Sequence, residues 1–455
     1  MKILVTGANG YLGQGVVKAL LDNGHSVVAA DFKTNYVNDR AEKMDCDLFS
    51  VEDPYTYFGK PDVLLHLAWR DGFVHYSENH IADLPKHYHF LKQMVDAGIA
   101  KISVMGTMHE IGFFEGSINE NTPCHPMSLY GIGKDALRNC VAMMTNGKHT
   151  NWQWLRGYYI VGHSEFGCSI FSKITAAEKE GKTEFPFTMG QNQFDFIDYD
   201  DFCAQVAAAV GQDEINGIIN ICSGKPEKLA DRVERFIKEN GYGIKLKYGA
   251  FPDRPYDSKA VWGDNKKITQ IMNEKKYKAF KPTKSYFKKK NEIEAKKMIL
   301  GVASEWTERK GLRDFIELDE MLDKKEYVIV LVGVSKKQVE NLPKDIIALN
   351  RTNNIKELVE IYSAADVYFN PTYEDNFPTT NLEATACGTP VITYDTGGSP
   401  ESVDLRAVVQ KGNLNRVKNI ICSELQIFKP RLRDEMKVES MVAEYIQLYR
   451  DVYGE

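Results

Sequence analysis

Short apolar runs alternate with longer stretches carrying apolar residues at three-and-four spacing through the first third of the chain. The runs at residues 2–6, 26–31, 62–68 and 101–106 are rich in Val, Ile and Leu and predict strands. Residues 11–23 and 79–97 show the helical period. Strand–helix alternation implies a parallel sheet covered on both faces, an α/β fold. It resumes near Met298, with strands at 298–303, 327–334 and 366–370 and helices at 311–322 and 355–363. Between the two regions, residues 275–297 hold ten lysines and one proline, Pro282, and read as a solvated linker with a short flanking helix.

Composition narrows the function classes. The chain has 455 residues, 43% apolar and 26% charged, as soluble globular proteins of several domains do. Residues 1–280 hold 31 basic against 35 acidic side chains, and residues 281–455 hold 26 against 28. With no positive excess in either part, no nucleic-acid partner is expected. The longest apolar run, 327–334, is far shorter than the roughly 20 residues that span a bilayer. The opening MKILVTG enters a glycine turn rather than a signal-peptide core. No transmembrane segment and a cytoplasmic location are therefore expected. Eight dispersed cysteines, without CxxC or a Cys/His cluster, read as reduced core residues, and no metal site is expected. All ten histidines fall between His25 and His163, so the second region lacks the commonest neutral-pH base.

The strongest motif is Thr6-Gly7-Ala8-Asn9-Gly10-Tyr11-Leu12-Gly13, a GxxGxxG that follows a strand and opens a helix. Glycines let the backbone turn tightly and bring a pyrophosphate onto its amides, facing unpaired N–H groups of the helix. Asp31 closes the next strand 18 residues after Gly13, where a carboxylate accepts ribose hydroxyls of NAD and repels a 2′-phosphate. Lys33 leaves some room for NADP. Further on, Tyr130 and Lys134 lie four apart on one helical face, where a neighbouring ammonium favours the phenolate. Upstream, Thr107 ends a strand, where its hydroxyl can reach the same substrate oxygen.

These motifs resemble, over about residues 1–275, the extended short-chain dehydrogenase/reductase family, in particular its nucleotide-sugar epimerases and dehydratases. The resemblance implies a Rossmann-type domain with a small substrate lobe drawn mainly from residues after 160, together spanning 1–277. It implies cofactor contacts at Gly7, Asn9, Gly10, Tyr11, Leu12, Gly13, Asp31, Asp47, Leu48, Leu67, Ala68 and Lys134. Thr107, Tyr130 and Lys134 match the family's catalytic triad, with Lys134 lowering the tyrosine pKa. Leu155-Arg156, Asp195-Phe196-Ile197 and residues 220–226 match later landmarks. Arg254 and Asp257 resemble the stretch that grips a nucleotide diphosphate; Trp69, Arg70 and His109 stand where the sugar pocket is built. Met108 and His109 replace the Asp-Glu pair of the 4,6-dehydratases, so dehydration is not expected.

Near the other end, Asp375 and Glu383, eight apart, flank a helix predicted at 379–387 behind Pro378. Such a helix start can hold a diphosphate while the carboxylates meet sugar hydroxyls. Residues 280–455 resemble the C-terminal, donor-binding domain of family 4 glycosyltransferases of the two-domain GT-B fold. This implies a second Rossmann-like domain at 298–455 after a Lys-rich linker at 278–297, with donor contacts at Arg309, Lys310, Asp375 and Glu383. A dehydrogenase-type domain precedes it where such transferases carry their acceptor half, so glycosyl transfer by this chain alone is not expected. The expected substrate is a nucleoside-diphosphate sugar, a UDP- or dTDP-hexose, and a homodimer is an expected assembly. The expected function is that of an NAD-dependent 4-epimerase; the alternatives are an NAD(P)H-dependent 4-ketoreductase and a bifunctional or scaffold protein of surface-polysaccharide synthesis.

Overall fold

The computed structural model describes residues 1–163, 169–252, 258–352, 354–427 and 430. The chain divides into two compact units, Met1–Met272 and a second beginning at Asn273.

The first unit is built on a seven-stranded parallel sheet. Its strands, in spatial order, are Gly217–Ile221, Asn151–Gly157, Lys101–Thr107, Val63–His66, Lys2–Thr6, Ser26–Asp31 and Glu42–Asp45. The chain runs outward from Lys2–Thr6 in one direction, then returns to its other side at Val63–His66. The reversal opens a crevice at the carboxyl ends of these two strands, where α/β sheets bind ligands. Ile3 and Val5 face one apolar cluster and Leu4 the other, so both faces of the strand are buried, as a doubly covered sheet requires.

A smaller sheet orders Pro226–Lys228, Gln193–Asp198, Ala260–Gly263 and Gly116–Ile118, with Tyr159–Val161 also on Gln193–Asp198. It therefore recruits one strand from well before residue 160. Asp195, fully buried, accepts from Ser223 N at 2.8 Å, Ser223 Oγ at 2.6 Å, Gly224 N at 2.9 Å and Gly263 N at 3.0 Å, tying three segments of the lobe together.

The stretch 79–97 is two helices, Asn79–Ala82 and Leu84–Asp96, rather than one. Pro85 sits in the first turn of the second, where its missing N–H is harmless; inside a continuous helix it would break the ladder.

The second unit has a six-stranded parallel sheet in the order Ile347–Leu349, Tyr327–Val332, Lys297–Val302, Val367–Asn370, Val391–Tyr394 and Val408–Val409. The Lys-rich stretch is not simply solvated. Phe280 and Ile293 are buried in this unit's core, and Lys288 Nζ pairs with Asp366 at 2.6 Å. Apolar residues between the lysines supply the burial that a count of charges hides.

Candidate active site

The glycine loop lies at the crevice. Gly7 has φ +68°, and a Cβ there would stand 2.7 Å from Ala68 N, so only glycine lets the loop rest on the Leu67–Ala68 backbone. Gly13 packs equally closely on the Gly7 carbonyl. The helix Tyr11–Asp22 begins at Gly10 with no side-chain cap and no acidic residue in its first turn. Its first N–H groups thus meet no competing carboxylate, which suits a pyrophosphate. Asp31 accepts from Asn9 N at 3.0 Å and from Phe32 N at 2.8 Å, joining the loop to the second strand. Lys33, the candidate partner of a 2′-phosphate, pairs with Asp45 at 3.4 Å. Tyr11 Oη donates to Gly162 O at 2.7 Å; Leu12 packs against the core. Asp47 caps the turn Leu48–Ser50 by accepting from Phe49 N, and Leu48 is buried.

Next to this crevice, Thr107 ends its strand and Tyr130 and Lys134 share one face of the helix Leu129–Thr145. The Thr107 side chain neighbours the Tyr130 phenol and favours its ionised form, while its Oγ1 accepts from His109 N at 3.3 Å. Burial pushes the Tyr130 phenol up to about 12 against the influence of Thr107, with the Glu110 carboxylate adding to the rise. Lys134, buried, donates from Nζ to Met105 O at 2.8 Å and lies 4.0 Å from the centroid of the Trp69 ring. Burial brings it down to about 7, opposed by Glu110. The expectation that Lys134 lowers the Tyr130 pKa needs correcting here: the ammonium is directed at Met105 and Trp69, and burial governs the phenol.

Histidines surround the phenol. His75 stacks on Tyr130 with centroids 5.4 Å apart, and His109 lies 4.5 Å from His75 and 6.0 Å from Tyr130. Tyr130 N donates to His75 O at 2.9 Å, fixing this loop to the helix start. Burial lowers His75, and burial with the nearby His75 takes His109 to about 4. Trp69 Nε1 donates to His80 Nδ1 at 3.0 Å, and His80 Nε2 meets Val74 O at 3.0 Å. Because an indole N–H only donates, His80 carries its proton on Nε2. Arg70 does not enter this cluster; it pairs with Asp83. Arg254 and Asp257 lie outside the described residues.

Sequence reasoning missed two sets of residues. One is a buried line: Thr6 Oγ1 to His66 Nδ1 at 2.8 Å, His66 Nε2 to His87 Nδ1 at 2.9 Å, and His87 stacked on Trp69 at 4.5 Å. Burial and the Lys134 charge hold His87 near 3 and His66 well below an ordinary imidazole. The other is Glu110, which follows His109 and accepts from Arg156 Nε at 2.6 Å and Trp154 Nε1 at 2.9 Å, all three side chains buried. An arginine inside an apolar strand was the available signal, since a buried guanidinium demands a carboxylate.

In the second unit, Lys310 Nζ and Asp375 pair at 2.7 Å, so the residues expected to meet a donor meet each other. Arg309 is exposed, and its carbonyl accepts from Tyr373 N at 2.8 Å. Glu383 is buried on the helix Thr379–Ala386 and accepts from Tyr362 Oη at 3.2 Å.

An uncapped glycine-loop helix at a sheet switch point, beside a Thr–Tyr pair and a buried lysine, defines a dinucleotide-dependent α/β oxidoreductase site. Residues 3–222 match the NAD dependent epimerase/dehydratase family and residues 283–420 match glycosyl transferases group 1. The dTDP-6-deoxy-L-talose 4-dehydrogenase (NAD(+)) of Aggregatibacter actinomycetemcomitans is 45% identical over 271 residues, 58% of this chain and 99% of that protein. This chain belongs to the NAD dependent epimerase/dehydratase family. A UDP-glucuronic acid 4-epimerase from Bacillus cereus, solved with UDP-glucuronic acid and NAD, shares the fold over 60% of this chain and 93% of its own, with TM-score 0.51 and 22% identity. The alpha-galactosylglucosyldiacylglycerol synthase of Streptococcus pneumoniae is 31% identical over 121 residues, 24% of this chain and 30% of that protein. Among the described residues no helix is long and apolar enough to cross a membrane.

Proposed function

We propose that residues 1–277 carry out NAD-dependent oxidation or reduction at C4 of a nucleoside-diphosphate hexose linked to dTDP or UDP. The observation that carries this reading is the placement of Thr107 at the carboxyl end of its strand beside Tyr130, with buried Lys134 one helical turn on. When bound, NAD supplies the acceptor or donor of hydride at the sugar carbon. Gly7, Gly10 and Gly13 with the following helix start hold its pyrophosphate, and Asp31 its ribose hydroxyls. Leu67, Ala68, Asp47 and Leu48 line the rest of its path. The occupied Lys33 supports NAD over NADP.

Tyr130 takes the proton of the C4 hydroxyl, or returns it, and Thr107 hydrogen-bonds the same oxygen. Its raised pKa suits the neutral phenol, the form that gives a proton to a 4-keto oxygen. Lys134, near neutrality, meets the cofactor's ribose from its place beside Met105 and Trp69. His109 and Trp69 bound the sugar side of the pocket, and Arg254 and Asp257 take the diphosphate. The 45%-identical 4-dehydrogenase supports one-way chemistry, run as dehydrogenase or 4-ketoreductase. The 4-epimerase reading uses the same groups twice, with the keto sugar turned over between steps. For the second unit we propose a sugar-nucleotide donor site at Arg309, Lys310, Asp375 and Glu383.

Purified protein incubated with dTDP- and UDP-hexoses separates the readings. Stoichiometric formation or consumption of NADH supports the one-way reaction. Exchange of C4 configuration without net cofactor change supports epimerisation. Neither activity on any sugar nucleotide refutes the proposal.

A further inference from the structure

We infer that Trp69 is a positioning residue for Lys134: its indole face holds the lysine ammonium, while His87 and His80 hold the indole. The inference rests on the role proposed above for Lys134. An ammonium has three protons to place. Lys134 Nζ gives one to Met105 O at 2.8 Å, and the Trp69 face at 4.0 Å, well inside cation–π range, receives the charge on a side chain with almost no access to water.

The indole is itself fixed. Its Nε1–H bonds His80 with ring planes within 15°, so His80 meets the edge; His87 stacks on it at 20°. His87 continues through His66 to Thr6 on the strand that opens into the glycine loop. The helix is shaped to match. A Cβ at Gly133 would stand 3.4 Å from Trp69 Cζ2 and 2.9 Å from His80 O, so the residue before Lys134 lets the helix lie close against the indole. An unbroken run of contacts thus links the pyrophosphate-facing strand to the lysine.

Besides the indole, Lys134 is faced by Glu110 from the turn after its strand, by His66 and His87, and by Tyr130 on its own helix. Burial disfavours the charged lysine and Glu110 favours it; a cation held over an aromatic face is stabilised, so the indole adds to the second side.

The test uses the full chain with carbon-labelled lysine, following the Cε resonance that Lys134→Met removes. Trp69→Leu should lower the Lys134 midpoint by about 0.5–1.5 pH units, and Trp69→Phe by less, because its ring keeps a weaker face. An unchanged midpoint in Trp69→Leu, or equal shifts in the two variants, overturns the inference. Should Trp69→Leu not fold, the fluorescence difference between wild type and Trp69→Phe serves instead. It should follow the Lys134 midpoint and become flat in a Lys134→Met background; indifference to pH across that midpoint overturns the inference. Both readouts need no substrate. Absence of turnover on every sugar nucleotide would sink the proposed reaction and leave this contact standing.

Discussion

Glu110 and Arg156 meet at 2.6 Å with neither side chain reaching solvent. The pair joins the turn after Thr107 to the neighbouring strand, and Trp154 adds a second donor. Glu110→Ala should destabilise the first unit by about 3–5 kcal/mol, because it leaves a buried guanidinium without its carboxylate. Replacing both partners with apolar residues of similar volume should restore much of that loss. Chemical denaturation of the three proteins reads the difference, and a small effect of the single change would refute this account.

Tyr130→Phe keeps the ring and its stacking on His75 but removes the proton-carrying oxygen. Turnover should fall by about 10²–10⁴, while NAD affinity changes little. Near-normal turnover would remove Tyr130 from the reaction.

Acid should weaken the first unit through its histidines. A free imidazole titrates near 6.5, whereas His87 sits near 3 and His109 near 4 in the folded chain. Between those values the unfolded chain binds protons that the folded chain refuses, so stability rises with pH there. It should be unaffected by these groups above about pH 7 and fall below about 6.5 by about 1.4 kcal/mol per unit for each histidine. His87→Phe should flatten the slope. An identical pH dependence in wild type and variant counts against it.

Cofactor choice should follow Asp31. Calorimetry on Asp31→Ala should show weaker NAD binding and a smaller preference over NADP, while Lys33→Ala should change that preference little. Stronger discrimination against NADP in Lys33→Ala than in wild type would assign Lys33 a role that its pairing with Asp45 argues against.

In the second unit, a donor diphosphate at Lys310 must compete with Asp375. Titration of the full chain with UDP, GDP and their sugars should show saturable binding that Lys310→Ala and Glu383→Ala abolish. Binding unaltered in both variants would place it elsewhere.

The parallel sheets were legible because buried strands read as unbroken apolar runs: residues 2–6 and 26–31 coincide with observed strands. The three-residue strand Gly116–Ile118 was not, since so short a segment has no period to detect. The helix break at Asp83 hid behind continuous apolar spacing, although Pro85 marked it. At the site, the glycine loop and the Tyr130–Lys134 spacing are local patterns and could be read directly. Glu110 and Arg156 are 46 residues apart, and the register that sets Gly106 opposite Arg156 brings them together. His66, His80 and His87 are likewise joined through Trp69 by folding, and no interval in the chain announces it.

The single donor of the Trp69 indole has a consequence for proton traffic. By occupying His80 Nδ1, it makes any proton arriving there displace a bond that holds the pocket wall. Burial, only partial at His75, makes His66, His75, His87 and His109 resist protonation. Burial thus keeps these four imidazoles from taking up charge near neutral pH. In the proposed reaction they would offer the sugar fixed donors and acceptors, with Tyr130 left to carry the proton.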